Sequence, residues 1–370
     1  MTGAADARFM GLALALGRRG LGHVWPNPAV GCVLVTDGRI VGRGATAPGG
    51  RPHAETQALA QAGAAARGAT AYVSLEPCAH HGRTPPCAEA LVAAGVARVV
   101  TALEDPDPRV AGQGHARLRA AGISVETGLM AAAAGAAHRG FLTRVRDGRP
   151  MLTLKLATSF DGRIATASGE SRWITGPEAR RRVHGLRASH DAVLVGGGTA
   201  RADDPSLTVR GLGAVRQPVR IVAARSLGLP EDGALARSAG EVPLWLIHGD
   251  REVESGHAAR WEARGARLFP VPVAPGGRLD PGAMLAALGA AGLTRVFCEG
   301  GGSLAASLLH AGLVDELVGF TAGLAIGAEG RPAIGALGLE ALGEAPRFRL
   351  VSAEALGGDV LHRWERVAES

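Results

Sequence analysis

Two α/β domains in tandem are predicted from three observations. The chain has 370 residues, it shows two separate runs of alternating strand-like and helix-like segments, and a polar, turn-rich stretch parts them. A chain of that length exceeds one ordinary hydrophobic core. Apolar residues make up 46% and charged residues 20%, the balance of a globular protein in water. Aromatic residues are only 4%, so Ala, Leu and Val must fill the interior.

In the first run, Phe9 to Arg19 is Ala/Leu-rich and predicts a helix. Ala29 to Val35 is a short β-branched run that turns at Asp37-Gly38 and returns as Arg39 to Gly42, a hairpin pattern. A helix over Ala54 to Ala66 follows, then a strand over Ala69 to Leu75. Pro85-Pro86 precede a helix from Cys87 to Ala94 that Gly95 closes. Val96 to Leu103 reads as a strand and Gly114 to Ala121 as a helix. Arg144 to Pro150 is polar and turn-rich, and the boundary is placed there, giving domains 1–147 and 148–370.

The second run begins with a strand at Met151 to Leu156. Further strands are expected at Asp191 to Val195, Val219 to Ala223, Val242 to Ile247, Thr294 to Cys298 and Leu317 to Ala322. Helices are expected at Pro177 to Arg187, Pro281 to Ala290 and Ser303 to His310, which together predict a mainly parallel sheet.

Several classes of function are disfavoured. No apolar run approaches the length of a membrane span, so no membrane association is expected. The N-terminus carries Asp6 and lacks a basic stretch before an apolar core, which argues against a signal peptide. Cys32, Cys78, Cys87 and Cys298 are too few for a disulfide framework and point to a reducing cytoplasm. The net charge of +6 favours acidic partners. The arginines are dispersed without interleaved aromatics, so phosphorylated small molecules are expected and nucleic acid is not. Among 40 basic residues there is a single lysine, Lys155. Arg cannot release a proton near neutrality, whereas a buried Lys can.

His53-Ala54-Glu55 opens a helix, Pro77-Cys78 follows a strand, and Cys87 begins the next helix. One imidazole and two thiolates suit three corners of a zinc tetrahedron and leave the fourth for water, as a catalytic site requires. Zinc lowers the pKa of bound water toward neutrality, and a carboxylate such as Glu55 can move its proton to departing ammonia. Residues i and i+2 diverge by about 200° around a helix, so His53 and Glu55 can share a cavity only at a helix mouth. His-x-Glu with a following Pro-Cys and second Cys is the zinc-deaminase signature. A structural zinc would need His80 or His81 as a fourth ligand, and Glu55 favours the catalytic reading.

The long Glu76-Pro-Cys-Ala-His-His-Gly-Arg-Thr-Pro-Pro-Cys87 segment resembles the deaminase domain of the bifunctional riboflavin-biosynthesis family. So do Pro26 to Cys32 and Asp105 to Gly112. The resemblance implies a cytidine-deaminase-like α/β/α sandwich with zinc on His53, Cys78 and Cys87, Glu55 as proton shuttle, and Asn27 bonded to the pyrimidine. His80, Arg83 and Thr84 in the insertion are physically suited either to a substrate phosphate or to a solvated loop. Near Thr46 the family usually carries a His, a departure that bears on substrate affinity.

The second half has two strand–glycine–helix turns, Val193 to Thr199 and Val296 to Ser303, whose backbone can approach phosphates. Neither fits the Gly-x-Gly-x-x-Gly fingerprint. Lys155 to Ile164, Gly169 to Thr175 and Asp203 to Arg210 are similar to the reductase domain of the same family, which has a dihydrofolate-reductase-like α/β fold. The resemblance implies NADPH contacts at Ala157, Trp173, Thr199, Asp203 and the turn from Gly301 through Gly302 and Ser303 to Ser307. It implies substrate contacts at Ser171, Arg187, Leu207, Arg210 and Glu299. Physically, Arg187 and Arg210 suit a phosphate clamp and Trp173 a nicotinamide or ribose face. Lys155 is the expected proton donor or polarising group. Arg225 stands where the family more often has Asp, and an Arg there favours the 2′-phosphate of NADPH.

The resemblance thus implies zinc-dependent deamination of 2,5-diamino-6-(5-phosphoribosylamino)pyrimidin-4-one. NADPH reduction of the product's ribosyl group to ribityl would follow, in a homo-oligomeric (dimeric or tetrameric) enzyme. A nucleoside or tRNA-base deaminase with a C-terminal domain of different or no reductase activity is the alternative, and a non-catalytic nucleotide-binding or scaffold module is a third.

Overall fold

In a computed structural model, residues 3–80, 85–108, 111–250 and 256–367 are described. The chain divides into two compact units, 1–148 and 149–370.

The first unit contains α1 (Gly3–Arg18), β1 (Gly31–Thr36), β2 (Arg39–Ala45), α2 (Ala54–Ala62), β3 (Thr70–Val73), α3 (Cys87–Ala93), β4 (Arg98–Thr101), α4 (Gln113–Ala120), β5 (Ser124–Thr127) and α5 (Ala131–Asp147). Its sheet runs β2-β1-β3-β4-β5, with β1 antiparallel to both neighbours and β3, β4 and β5 parallel. Asp37 and Gly38 at the β1–β2 turn both have positive φ, as a two-residue hairpin requires. Alternation along β1 feeds two cores. Cys32 and Leu34 pack with Ala54, Ala58, Leu91 and Leu118 on one face. Val33 and Val35 pack with Phe9, Met10, Ala13 and Ala134 on the other. The result is a three-layer α/β/α sandwich.

Two expectations fail here. The Ala54–Ala66 helix ends at Ala62, where Gly63 at φ 53 leads into a short 3-10 turn. Arg144 to Asp147 is the last turn of α5 and not part of a loop. Alanine-rich Ala131 to Ala137 carries high helix propensity, and Gly148 at φ 69 closes the helix by donating to the Arg144 carbonyl.

The second unit contains β6 (Met151–Ser159), β7 (Arg163–Ala165), α6 (Pro177–Ala188), β8 (Ala192–Gly196), α7 (Gly197–Asp203), β9 (Val219–Ala223), α8 (Ala234–Arg237), β10 (Leu244–Gly249), α9 (His257–Ala263) and β11 (Arg267–Val271). After the short β12 (Val273–Ala274) and β13 (Arg278–Leu279) come α10 (Pro281–Ala290), β14 (Arg295–Gly300), α11 (Gly302–His310), β15 (Glu316–Ala322), β16 (Arg331–Pro332), β17 (Phe348–Leu356) and β18 (Asp359–Arg366). A nine-stranded sheet runs β11-β10-β9-β8-β14-β6-β15-β18-β17. It is parallel from β11 through β15 and antiparallel at β18 and β17.

The closing β17–β18 hairpin escapes prediction because β17 is exposed on both faces and so shows no alternation. At the N-terminal edge of the sheet the Asp191 carboxylate accepts from Thr294 N (2.6 Å), Thr294 Oγ1 (2.7 Å) and Arg295 N (2.8 Å), which fixes β14 beside β8. The opposite, C-terminal ends of the parallel strands are where such sheets bind ligands. No described helix is long and apolar enough to cross a membrane.

Candidate functional site

In the first unit a cavity of about 370 Å³ opens where β3 ends and α2 begins. His53 is the residue that caps α2, in extended conformation, and Glu55 is the second residue of the helix. At this mouth both side chains reach the cavity. Cys78 arrives on the segment leaving β3, and Cys87 opens α3 behind Pro86. His53 Nδ1 lies 3.3 Å from Cys87 Sγ and 3.6 Å from Cys78 Sγ. The three donor atoms all fall within 4.8 Å of one another. Zn–S of about 2.3 Å and Zn–N of about 2.0–2.1 Å at a tetrahedral angle give an S···N separation of about 3.6 Å. The donor set and its spacing therefore fit zinc.

Donation from Cys87 holds Cys78 down to about 4 against the opposing effect of burial, and the same hydrogen bond pushes Cys87 up. The Cys87 backbone N–H, at the start of α3, also donates to Cys78 Sγ at 3.3 Å. The Cys78 hydrogen bond raises His53. Glu55 is 3% exposed. Burial first, and the nearby Cys78 second, push its carboxyl up to about 7. His80 lines the cavity but is absent from the convergent trio, while His81, Arg83, Thr84 and, further on, Arg109 and Val110 lie outside the described residues.

Asn27 lines the cavity wall and packs tightly over Gly50. Gly50 has φ 89, and a Cβ there would fall 1.9 Å from Asn27 Nδ2, so only glycine leaves the amide in place. Thr46 also lines the wall, but its hydroxyl is engaged. It accepts from Val30 N (3.0 Å) and donates to the Pro28 carbonyl (3.1 Å), bracing the strand entry beside Asn27.

Glu76 is not one of the His53–Cys78–Cys87 donors. Its buried carboxylate accepts from the backbone N–H groups of Asp105 (3.2 Å), Gly112 (3.0 Å) and His115 (3.1 Å), and ties the Asp105–Asp107 wall to the end of β3. Arg51, Phe141 and Arg144 also line the cavity and were not anticipated. Arg144 was hidden by its assignment to a linker.

In the second unit a cavity of about 610 Å³ sits over the C-terminal ends of β6, β8 and β14. Lys155, Ala157, Ser171, Trp173, Arg187, Thr199, Asp203, Leu207, Arg210, Glu299 and Gly301 all line it. Gly302 and Ser303 form the first turn of α11 just beyond the lining. Gly301 has φ 99, and a Cβ there would meet Thr199 Oγ1 at 2.9 Å. That hydroxyl donates to the Gly300 carbonyl at 3.2 Å, which holds the glycine turn against α7.

Arg187 and Arg210 do not form a symmetrical clamp. Arg187 grips Glu299 through Nε and Nη2, the latter at 2.9 Å, and gives Nη1 to the Thr208 carbonyl at 2.7 Å. Three of its five N–H donors are used, leaving two for a ligand. Burial opposes ionisation of Glu299, but Arg187 and then Lys155 more than offset it and hold the carboxyl below its ordinary range. Burial lowers Lys155, partly countered by Glu299. Among the described residues the Lys155 ammonium has no hydrogen-bond partner.

Trp173 is no core filler, since it is 69% exposed and has the Arg180 guanidinium 4.5 Å from its ring centroid. Arg225 is exposed and donates to the Gly277 carbonyl at 3.3 Å. His184 lines the cavity and was missed. It lies three residues before Arg187 on α6, so the helical period places the two on one face.

Two family descriptions match the chain. Residues 4–103 match the cytidine and deoxycytidylate deaminase zinc-binding region, and residues 150–362 match the RibD C-terminal domain. The riboflavin biosynthesis protein RibD of Escherichia coli is 44% identical over 96% of this chain and 98% of its own length. That of Aquifex aeolicus is 39% identical over 98% of each. A solved structure of Acinetobacter baumannii RibD superposes with a TM-score of 0.88 at 38% identity, over 99% of this chain and 100% of that one. A Thermotoga maritima diaminohydroxyphosphoribosylaminopyrimidine deaminase/5-amino-6-(5-phosphoribosylamino)uracil reductase gives 0.85 at 32% identity, over 99% of each chain.

Proposed function

The chain belongs to the RibD family, and on that premise we propose how its residues divide the work of a bifunctional riboflavin-biosynthesis enzyme. It is a zinc-dependent deaminase and an NADPH-dependent reductase. We assign deamination to residues 1–147 and reduction to 148–370. The substrate of the first reaction is read as 2,5-diamino-6-(5-phosphoribosylamino)pyrimidin-4-one and that of the second as its deaminated product.

In the deaminase site His53, Cys78 and Cys87 would hold the metal. The observation that carries this reading is the convergence of one imidazole and two thiols beside a buried carboxyl. Zinc, when bound, supplies a Lewis acid that lowers the pKa of water. Asn27 orients the pyrimidine by hydrogen bonds from its amide. Glu55 Oε takes a proton at the water and delivers it to the exocyclic nitrogen that leaves as ammonia, a task suited to a buried carboxyl that lines the same cavity as His53 and Cys78. Free thiols are needed for this set, which supports a reducing cytoplasmic setting.

In the reductase site NADPH supplies hydride when bound, to the ribose C1 of the ring-opened sugar. The glycine turn at Gly301–Ser303, with Ala157, Thr199, Asp203 and Trp173, is read as the cofactor wall. Ser171, Leu207 and Arg210 face the substrate. Glu299 accepts from sugar hydroxyls while Arg187 fixes its carboxylate plane. Lys155 donates a proton or polarises the sugar oxygen, with its charge kept in place by Glu299.

One incubation tests both halves. With the diaminopyrimidine phosphate, zinc and NADPH in reducing buffer, ammonia release and NADPH oxidation should both appear. Ammonia from cytidine or tRNA, with none from the diaminopyrimidine, would transfer the assignment to another deaminase class.

We also infer a homo-oligomer, dimer or tetramer, built on the β17 edge. Leu350, Val351 and Val360 on this hairpin are exposed, and an open apolar edge strand invites pairing with a second copy. Sedimentation should give at least twice the 37.6 kDa chain mass, and a monomer at micromolar concentration would remove this inference.

A further inference from the structure

The face of α6 that carries Arg187 also carries His184, and both line the reductase cavity. The backbone N–H of Arg210 donates to His184 Nδ1 at 3.2 Å. A nitrogen that accepts carries no proton, so the neutral ring bears its hydrogen on Nε2. The Thr208 backbone also lies beside the ring, and among the described residues no side chain hydrogen-bonds Nε2. Burial first, then Arg187 and Arg210, hold His184 below the ordinary histidine range against the opposing pull of Glu299 and the Thr208 backbone, which favours the neutral ring.

Charge is unevenly distributed around this ring. Arg187 is engaged with Glu299, and Lys155 stands beside the same carboxylate, so both cations at that end of the cavity already face an anion. At the other end, the guanidinium of Arg210 makes no ion pair among the described residues. An uncharged N–H donor with guanidinium groups on either side suits neither a cation nor an apolar group. It suits an oxyanion, which would accept from Nε2–H while meeting Arg210.

We propose that His184 is a substrate-positioning residue of the reductase, donating from Nε2 to a phosphate oxygen of the substrate alongside Arg210. The proposal rests on the reductase reading above. It assigns the phosphate to the His184–Arg210 end of the cavity and leaves the sugar hydroxyls to Glu299.

The test compares the phosphorylated aminouracil substrate with its dephosphorylated riboside in the parent, His184→Phe and His184→Gln enzymes. Phe removes the donor, whereas the Gln amide can reach the Nε2 position. His184→Phe should lower kcat/KM for the phosphorylated substrate by on the order of tenfold, and His184→Gln should stay within about threefold of the parent. The riboside kcat/KM and the KM for NADPH should not move in either variant. An equal loss with both substrates, or a rise confined to the KM for NADPH, overturns the proposal.

A second arm needs no turnover. In 15N-histidine-labelled, cofactor-free parent enzyme, inorganic phosphate should shift the His184 Nε2 resonance, and an unmoved resonance overturns the proposal as well. If the parent oxidises no NADPH with either substrate, the reductase reading has failed, while the resonance still reports whether His184 meets phosphate.

Discussion

Glu55→Gln is expected to reduce ammonia release by on the order of 10²–10⁴-fold while leaving zinc content unchanged. Glu55 is not among the convergent donors, so the metal loses no ligand. Gln preserves volume in a buried position that tolerates little change, and the second residue of α2 can still form the helix. What disappears is the ability to take a proton and return it. The reductase, given the deaminated product directly, should run at the parent rate because the described residues that line its cavity all belong to the second unit. Parallel measurement of ammonia, bound zinc and NADPH oxidation checks all three statements. Undiminished ammonia release by Glu55→Gln would show that the proton moves by another route.

Lys155→Met should lower NADPH oxidation by on the order of 10²-fold or more and leave deamination intact. Met matches the length and apolar stem of Lys and removes only the ammonium. The same substitution has a consequence for stability whose sign follows from the direction of the shift. Burial depresses the folded-state pKa of Lys155 below its ordinary value of 10.5. Between the depressed value and 10.5 the unfolded chain binds more protons than the folded one, so folding stability rises with pH across that window. At pH 7 the parent therefore carries a desolvation cost that Lys155→Met lacks. The variant should melt above the parent at pH 7, and its advantage should shrink as pH rises toward 10.5. An inactive variant with unchanged stability would place the ammonium in a less buried setting.

These two residues also mark how far the sequence could be read. Glu55 was legible because a two-residue offset from His53 makes sense only at a helix mouth, and Pro77-Cys78 and Pro85-Pro86-Cys87 lie at junctions of the same kind. The strands leading to the second cavity were legible through their β-branched runs, and Lys155 through its solitude. The closing hairpin was not, since β17 is exposed on both faces and leaves no periodic signal.

Helix α5 was obscured because Arg144 to Asp147 has the composition of a turn. Its helicity comes from the alanines before it and from the Gly148 cap. With that helix went Phe141 and Arg144 as cavity walls. The engagement of Arg187 with Glu299 was invisible for a different reason: the two residues are 112 positions apart, and only the tertiary fold brings them together. His184 was one helical turn from a named residue and could have been found by extending the face.

The most direct test of the account is zinc-edge X-ray absorption on the purified full-length protein, recorded for the parent and for Glu55→Gln. One imidazole nitrogen, two thiolate sulfurs and one light, exchangeable oxygen ligand are predicted, identical in both proteins. A fourth protein side chain closing the shell, or active protein with no zinc, would contradict the assignment of the first domain.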